Sequence, residues 1–193
     1  MADESTNKKV KLTPRQWVEK HGDYLYNYAY SRVQSKETAE DLVQETFVSA
    51  IRAVDSFRGD SNEITWLIAI LKRKIIDYYR KQSRKKETAI SHFNTPFNNE
   101  GHLTGHWINE RVPKNWDVKY SDPMRQTEFI FILEMCLSAL PAKWKTVFVL
   151  KVMEELKTEQ VCKEVGIKPS NVWVILHRAK LQLRECIEKR WLK

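Results

Sequence analysis

The chain has 193 residues, 42% hydrophobic and 30% charged, with a formal net charge of +8 and a pI near 9.3. That length suits one large domain or two small ones, and a run of about 18 apolar residues, the minimum for a membrane span, is missing. The basic balance suits a polyanionic partner, of which nucleic acid is the commonest.

Only five glycines occur and β-branched alternation is scarce, so amphipathic helical periodicity dominates and the expected fold class is all-α. Residues 1–11 are polar and lysine-rich, lack the apolar segment of a signal peptide, and are expected to be a flexible N-terminus. Residues 12–84 then read as a first helical domain. Its stretch 37–63 is acidic, with Glu37, Glu40, Asp41, Glu45, Asp55, Asp60 and Glu63 against Arg52 and Arg58. The chain turns basic directly afterwards, in LKRKIIDYYRKQSRKK. Acidic and basic surfaces side by side suit one protein partner and one nucleic acid.

The loop Gly59, Asp60, Ser61 and Asn62 precedes a helix expected to open at Thr65 and Trp66. On a helical wheel Leu67, Ile70, Leu71, Ile75 and Tyr78 form its apolar side. Ala69, Lys72, Arg73, Ile76, Tyr79 and Arg80 form its outer side. Lys74 lands among the apolar residues and has to snorkel. Cations bind phosphates, while rings and aliphatic groups contact bases, so the outer side suits nucleic acid.

Residues 85–123 lose the helical pattern and hold much of the Gly, Pro and Asn, which marks a linker. Phe93, Phe97, Trp107, Trp116 and Tyr120 lie in it, so it is no plain solvated tether. These aromatics dock either on a flanking domain or on a partner. His92, His102 and His106 also lie here, but Gly101 and Gly105 argue against the helix that would aim a histidine pair at a metal.

Helical periodicity returns over 124–193. Thr158 is placed to cap a helix ending near Val165, Gly166 supplies a turn, and Pro169 opens a second helix running to about Lys189. Val172, Ile175, Leu176, Ala179 and Leu183 share the inner face of that helix. Ser170, Asn171, Val174, His177 and Arg178 share the outer face, flanked by Trp173 and Lys180. This is the helix-turn-helix pattern, whose second helix enters the major groove. Cys136, Cys162 and Cys186 match no zinc spacing, and their odd count fits no disulfide framework, so reduced thiols are expected.

Together these residues resemble the extracytoplasmic-function (ECF) sigma factors. AEDLVQETFVSAIRAVDSFRGDSNEITWLIAILKRKIIDYYRK is similar to the second conserved region of that family, and LPAKWKTVFVL with the following helix-turn-helix is similar to the fourth. The resemblance implies two small helical domains on a long linker and a subunit that directs core RNA polymerase to promoters. Asp41, Gln44, Glu45 and Phe47 would grip the polymerase clamp. Arg58, Ser61, Asn62, Trp66, Lys72, Arg73, Ile76 and Arg80 would hold the melted −10 strand, with a base flipped into the loop. Ser170, Asn171, Trp173, Val174, His177, Arg178 and Lys180 would read the duplex −35 element. The linker would thread the polymerase cleft, an anti-sigma factor is a candidate partner, and the location would be cytoplasmic. Arg73 stands where the family often has Asn, and Trp173-Val174-Ile175 where it often has Lys-Ser-Arg. Glu155 replaces a usual glycine, and Lys168 a usual small capping residue.

A helix-turn-helix regulator working without polymerase is the alternative, but such regulators are usually dimers on palindromes and would not carry the second-region pattern. An enzyme is a third reading. The chain offers no nucleophile elbow, phosphate loop or histidine metal pair, so no catalytic residue, metal ligand or cofactor is assigned.

Overall fold

The computed structural model describes Leu12 and residues 14–83, 95–98, 102, 104, 106–114 and 123–191. Its helices are α1 (Trp17–Val33), α2 (Lys36–Arg52), α3 (Glu63–Ser83), α4 (Pro123–Ser138), α5 (Ala142–Phe148), α6 (Thr158–Val165) and α7 (Pro169–Trp191). The all-α expectation holds. The chain divides into two compact units, Met1–Tyr78 and Tyr79–Lys193. Among the described residues no helix is long and apolar enough to cross a membrane.

In the first unit α1 and α2 form a hairpin. Gln34 stops α1 by taking the left-handed region (φ 49°) and donating its N–H to the Tyr30 carbonyl at 2.8 Å. Ser35 then starts α2, its hydroxyl oxygen accepting from the Thr38 N–H at 3.3 Å. Leu25, Ala29 and Val33 of α1, Ala39, Leu42, Val43 and Ala50 of α2, and Leu67, Leu71 and Ile75 of α3 are buried. The buried Thr46 hydroxyl donates to the Leu42 carbonyl at 2.7 Å, so that polar group costs little inside.

On α3 the i+4 row from Leu67 through Leu71 and Ile75 continues to Tyr79, which is 1% exposed, whereas Tyr78 is half-buried. The wheel assigned the two tyrosines the other way round. At the end of a long helix a shift of one residue turns the stripe by about 100°, and a wheel anchored at the first turn does not resolve it.

In the second unit α7 packs against α4, α5 and α6. Val172, Ile175, Leu176, Ala179, Leu183 and Ile187 of α7 are buried, as are Cys136 and Leu137 of α4, Trp144 and Val147 of α5, and Val161 of α6. A π-helical turn, Val149–Met153, follows α5 and buries Val149 and Leu150.

One sequence expectation changes here, and one open alternative is decided for part of the linker. Cys136 and Cys186 form a disulfide, while Cys162 is free. Helices α4 and α7 lie side by side and bring the two Cα atoms to 5.8 Å across 50 residues of sequence, a contact that spacing rules do not read. The linker also carries structure. Pro96 and Asn98 pair with Ile108 and His106 through backbone hydrogen bonds of 3.0 and 2.9 Å, and the Phe97 and Trp107 rings meet at 4.6 Å. Trp107 in turn lies 4.4 Å under the Arg184 guanidinium of α7. Phe97 and Trp107 therefore dock within the chain itself. Phe93, Trp116, Tyr120 and His92 lie outside the described residues.

Candidate protein and nucleic-acid interfaces

Asp41, Gln44, Glu45 and Val48 recur at helical spacing along α2, and all are exposed. Phe47 is half-buried and lies off that stripe. Val48 (48% exposed) and Ile51 (58%) extend the acidic stripe with apolar surface, a feature that charge counting had missed. The composition suits a protein partner with cations around an apolar centre. Glu45 Oε2 lies 3.1 Å from Lys74 Nζ of α3. Lys74 thus escapes the core by reaching across to α2.

Asn62 Oδ1 accepts from the Thr65 N–H at 2.9 Å, so Asn62 caps α3 and the helix opens at Glu63, earlier than expected. The Glu63 carboxylate takes a hydrogen bond from Trp17 Nε1 and lies 3.0 Å from His21 Nε2, tying the start of α3 to α1. The Trp66 ring sits 5.9 Å from Trp17 and 5.1 Å from Phe57, so its half-buried indole steadies the loop base. Within the loop, Gly59 takes φ 84°, Arg58 is exposed and Ser61 half-buried. Farther along α3, Arg73 is exposed, and Lys72, Ile76 and Arg80 are half-buried. Cations and an aliphatic side chain thus share one helix side. The meeting of Trp17 and His21 with Glu63 was missed by sequence reasoning, which counted Glu63 only as an acidic residue, because the contact is tertiary.

In the second unit Thr158 is the first residue of α6 and not its cap. The end is satisfied from inside, by Gln160 Oε1 accepting the Lys157 N–H at 3.1 Å. Gly166 takes the left-handed region (φ 71°) and donates to the Cys162 carbonyl at 2.9 Å, turning the chain into Pro169. Ser170, Asn171, Trp173, Val174, His177 and Lys180 of α7 are exposed, and Arg178 is half-buried. Trp173 does not pack down: it is 56% exposed, and Lys151 Nζ lies 5.9 Å from its ring centre. Lys151 also donates to the Leu156 carbonyl at 3.0 Å. No sequence signal singled it out, because the π turn that aims it is not legible in VLKVM. On neighbouring α5, burial pushes the Lys145 ammonium down to about 8.

Acidic stripe, basic helix and helix-turn-helix occur in this order in a known class. Residues 17–85 match Sigma-70 region 2 and residues 130–183 match Sigma-70 region 4. A probable RNA polymerase sigma factor of Haemophilus influenzae is 38% identical over 86% of this chain and 85% of its own length. The RNA polymerase sigma factor YlaC of Bacillus subtilis is 32% identical, with 86% of each chain covered. Among solved structures, the sigma factor RpoE in complex with the anti-sigma factor NepR from Bartonella quintana is 21% identical. It covers 90% of this chain and 96% of its own, with a TM-score of 0.41. The chain belongs to the extracytoplasmic-function group of RNA polymerase sigma factors. Sigma factors are regulatory subunits and in general not enzymes.

Proposed function

We infer that this chain binds core RNA polymerase and directs it to promoters bearing −10 and −35 elements, in the cytoplasm and without catalysis of its own. The observation that carries the reading is the coexistence in one chain of the exposed Asp41–Gln44–Glu45–Val48 stripe and the exposed outer face of α7. A regulator acting without polymerase has no use for the first.

The α2 stripe, with Phe47 at its edge, docks on a cationic polymerase surface. The basic side of α3, through Lys72, Arg73, Ile76 and Arg80, holds the melted −10 strand. Arg58, Ser61, Asn62 and Trp66 frame the flipped base. Asn62 spends its side-chain oxygen on capping α3, which leaves its amide N–H groups for a base. On α7, Val174 meets a thymine methyl, Arg178 makes paired hydrogen bonds to a guanine, and Ser170, Asn171, His177 and Lys180 hold flanking groups. Trp173 and Lys151 together lie along the sugar–phosphate backbone. The 85–123 linker threads the polymerase cleft, and an anti-sigma factor is a partner, as NepR is for the Bartonella quintana protein.

The test is titration of core polymerase with the chain and with Asp41→Lys/Glu45→Lys. Affinity should fall at least tenfold with helix content retained, because complementary charge registers such interfaces. Unchanged affinity would contradict the assignment.

A further inference from the structure

The last turns of α7 carry two attachments at once. Cys186 is bonded to Cys136 of α4. On other sides of the same turns, Arg184, Glu185 and Glu188 hold a strap within 95–114, through its described residues 95–98 and 106–114. Arg184 lies over Trp107 and donates through Nη2 to the Arg111 carbonyl at 3.0 Å. Arg111 Nη2 meets Glu185 Oε2 at 2.6 Å, and the Lys114 N–H donates to Glu188 Oε1 at 3.2 Å. Burial alone would raise the Glu185 carboxyl, but hydrogen bonds from Arg111 and Lys189 outweigh it and hold the group below the ordinary range. The fit is incomplete: Arg184 keeps Nε and Nη1 buried without a hydrogen-bond acceptor, so the docked strap forfeits part of its stabilisation.

A disulfide is out of place beside an intracellular polymerase, where thiol pools keep cysteines reduced. The disulfides that do form there are mostly transient, catalytic or redox-sensing. This one is open to exchange on one side. Cys136 is 1% exposed, but Cys186 is half-buried and lines an open cleft of about 510 Å³ with Gln182, Glu185, Lys189 and Arg190. Lys189 and Arg190 outnumber Glu185 in its lining, and the net positive charge favours approach of a thiolate.

We propose that Cys136–Cys186 is a thiol–disulfide switch, opened at Cys186 by a cellular dithiol, that decides whether the 95–114 strap stays docked on α7. One thiolate of the dithiol attacks Cys186 Sγ. The S–S bond breaks, and Cys136 leaves as a thiolate that takes up a proton. The second thiolate of the reductant then attacks the mixed disulfide and frees Cys186, which is protonated in turn. Two electrons and two protons pass to the protein, and the reductant departs as its own disulfide. With the bond open, the end of α7 loses its covalent tie to α4 and is held there by non-covalent packing, including the Phe129–Trp191 ring contact (5.5 Å) and the buried Ile187. Its opening becomes easier, and the three residues that hold the strap lose their fixed geometry together. The oxidised chain is the strapped form and the reduced chain the released form. Release matters for transcription on the proposed reading of the linker as a segment that threads polymerase.

The test uses the full chain equilibrated in mixtures of oxidised and reduced dithiothreitol. The oxidised chain should show one titratable thiol, Cys162, and the reduced chain three. Protease cleavage within 95–114 should be at least tenfold faster in the reduced chain, with helix content retained. Cys186→Ser should cleave fast in every mixture, and Cys162→Ser should keep the switch. Three thiols in the fully oxidising mixture, or equal cleavage of the two forms, would overturn the proposal. So would loss of helix content on reduction, since the bond would then be a structural staple. If cleavage follows the redox state while runoff transcription by the two forms is equal, the switch stands and the threading reading falls.

Discussion

Glu155 holds φ 57° in the turn between the π-helical segment and α6, a left-handed conformation that costs an L-residue about 1 kcal/mol or more. The family resemblance implies a glycine at this position, and glycine is the residue that holds this backbone without that cost. Glu155→Gly should raise the melting temperature by a few degrees, the strain relief being partly offset by the added freedom of the unfolded chain. Glu159→Gly, inside α6, should lower it, by about 1 kcal/mol of helix propensity. Thermal unfolding of the two variants checks the opposite signs.

Lys145 gives a second residue-scale test. Its folded-state value is lowered from 10.5 to about 8, so between those pH values the unfolded chain binds more protons and stability rises with pH. Lys145→Met should therefore exceed the parent in stability most clearly below pH 8 and lose that advantage toward pH 10.5. Denaturant unfolding across that range measures it, and a pH-independent difference would contradict it. On α7, Arg178→Ala should cost about 1–3 kcal/mol on the best −35 duplex and flatten preference at one base pair. Lys180→Ala should weaken all duplexes alike and reduce the salt slope by about one unit. Equal weakening of every sequence by Arg178→Ala would make Arg178 a backbone clamp.

At the scale of elements, helix existence was legible because periodicity is local, whereas helix ends depend on which atom reaches which N–H. Asn62 and Gln160 satisfy ends that the sequence assigned elsewhere, and the exchange of Tyr78 for Tyr79 shows how a stripe drifts over about three turns. The outer residues of α7 were legible because polar and bulky side chains interrupt an apolar repeat. The apolar part of the α2 stripe was not, since Val48 and Ile51 carry no charge to mark them and their exposure is a tertiary property. Because they are exposed, Val48→Ser/Ile51→Ser should leave the melting temperature within a degree or two and still weaken core polymerase binding several-fold. A large loss of stability without loss of affinity would return both residues to a packing role.

For the whole molecule, two regions in order, each with its own apolar faces, conveyed the fold class and the family. What stayed hidden is what only folding brings together: Cys136 with Cys186, Trp107 with Arg184, and Glu63 with Trp17 and His21. One chain thus supplies both polymerase attachment and promoter choice. The most direct measurement is runoff transcription by core polymerase with this chain, on a promoter library varied at −10 and −35. The account predicts transcripts only when the chain is present, from a subset sharing both elements, and their loss with Asp41→Lys/Glu45→Lys. Sequence-specific duplex binding without any polymerase-dependent transcript would contradict it.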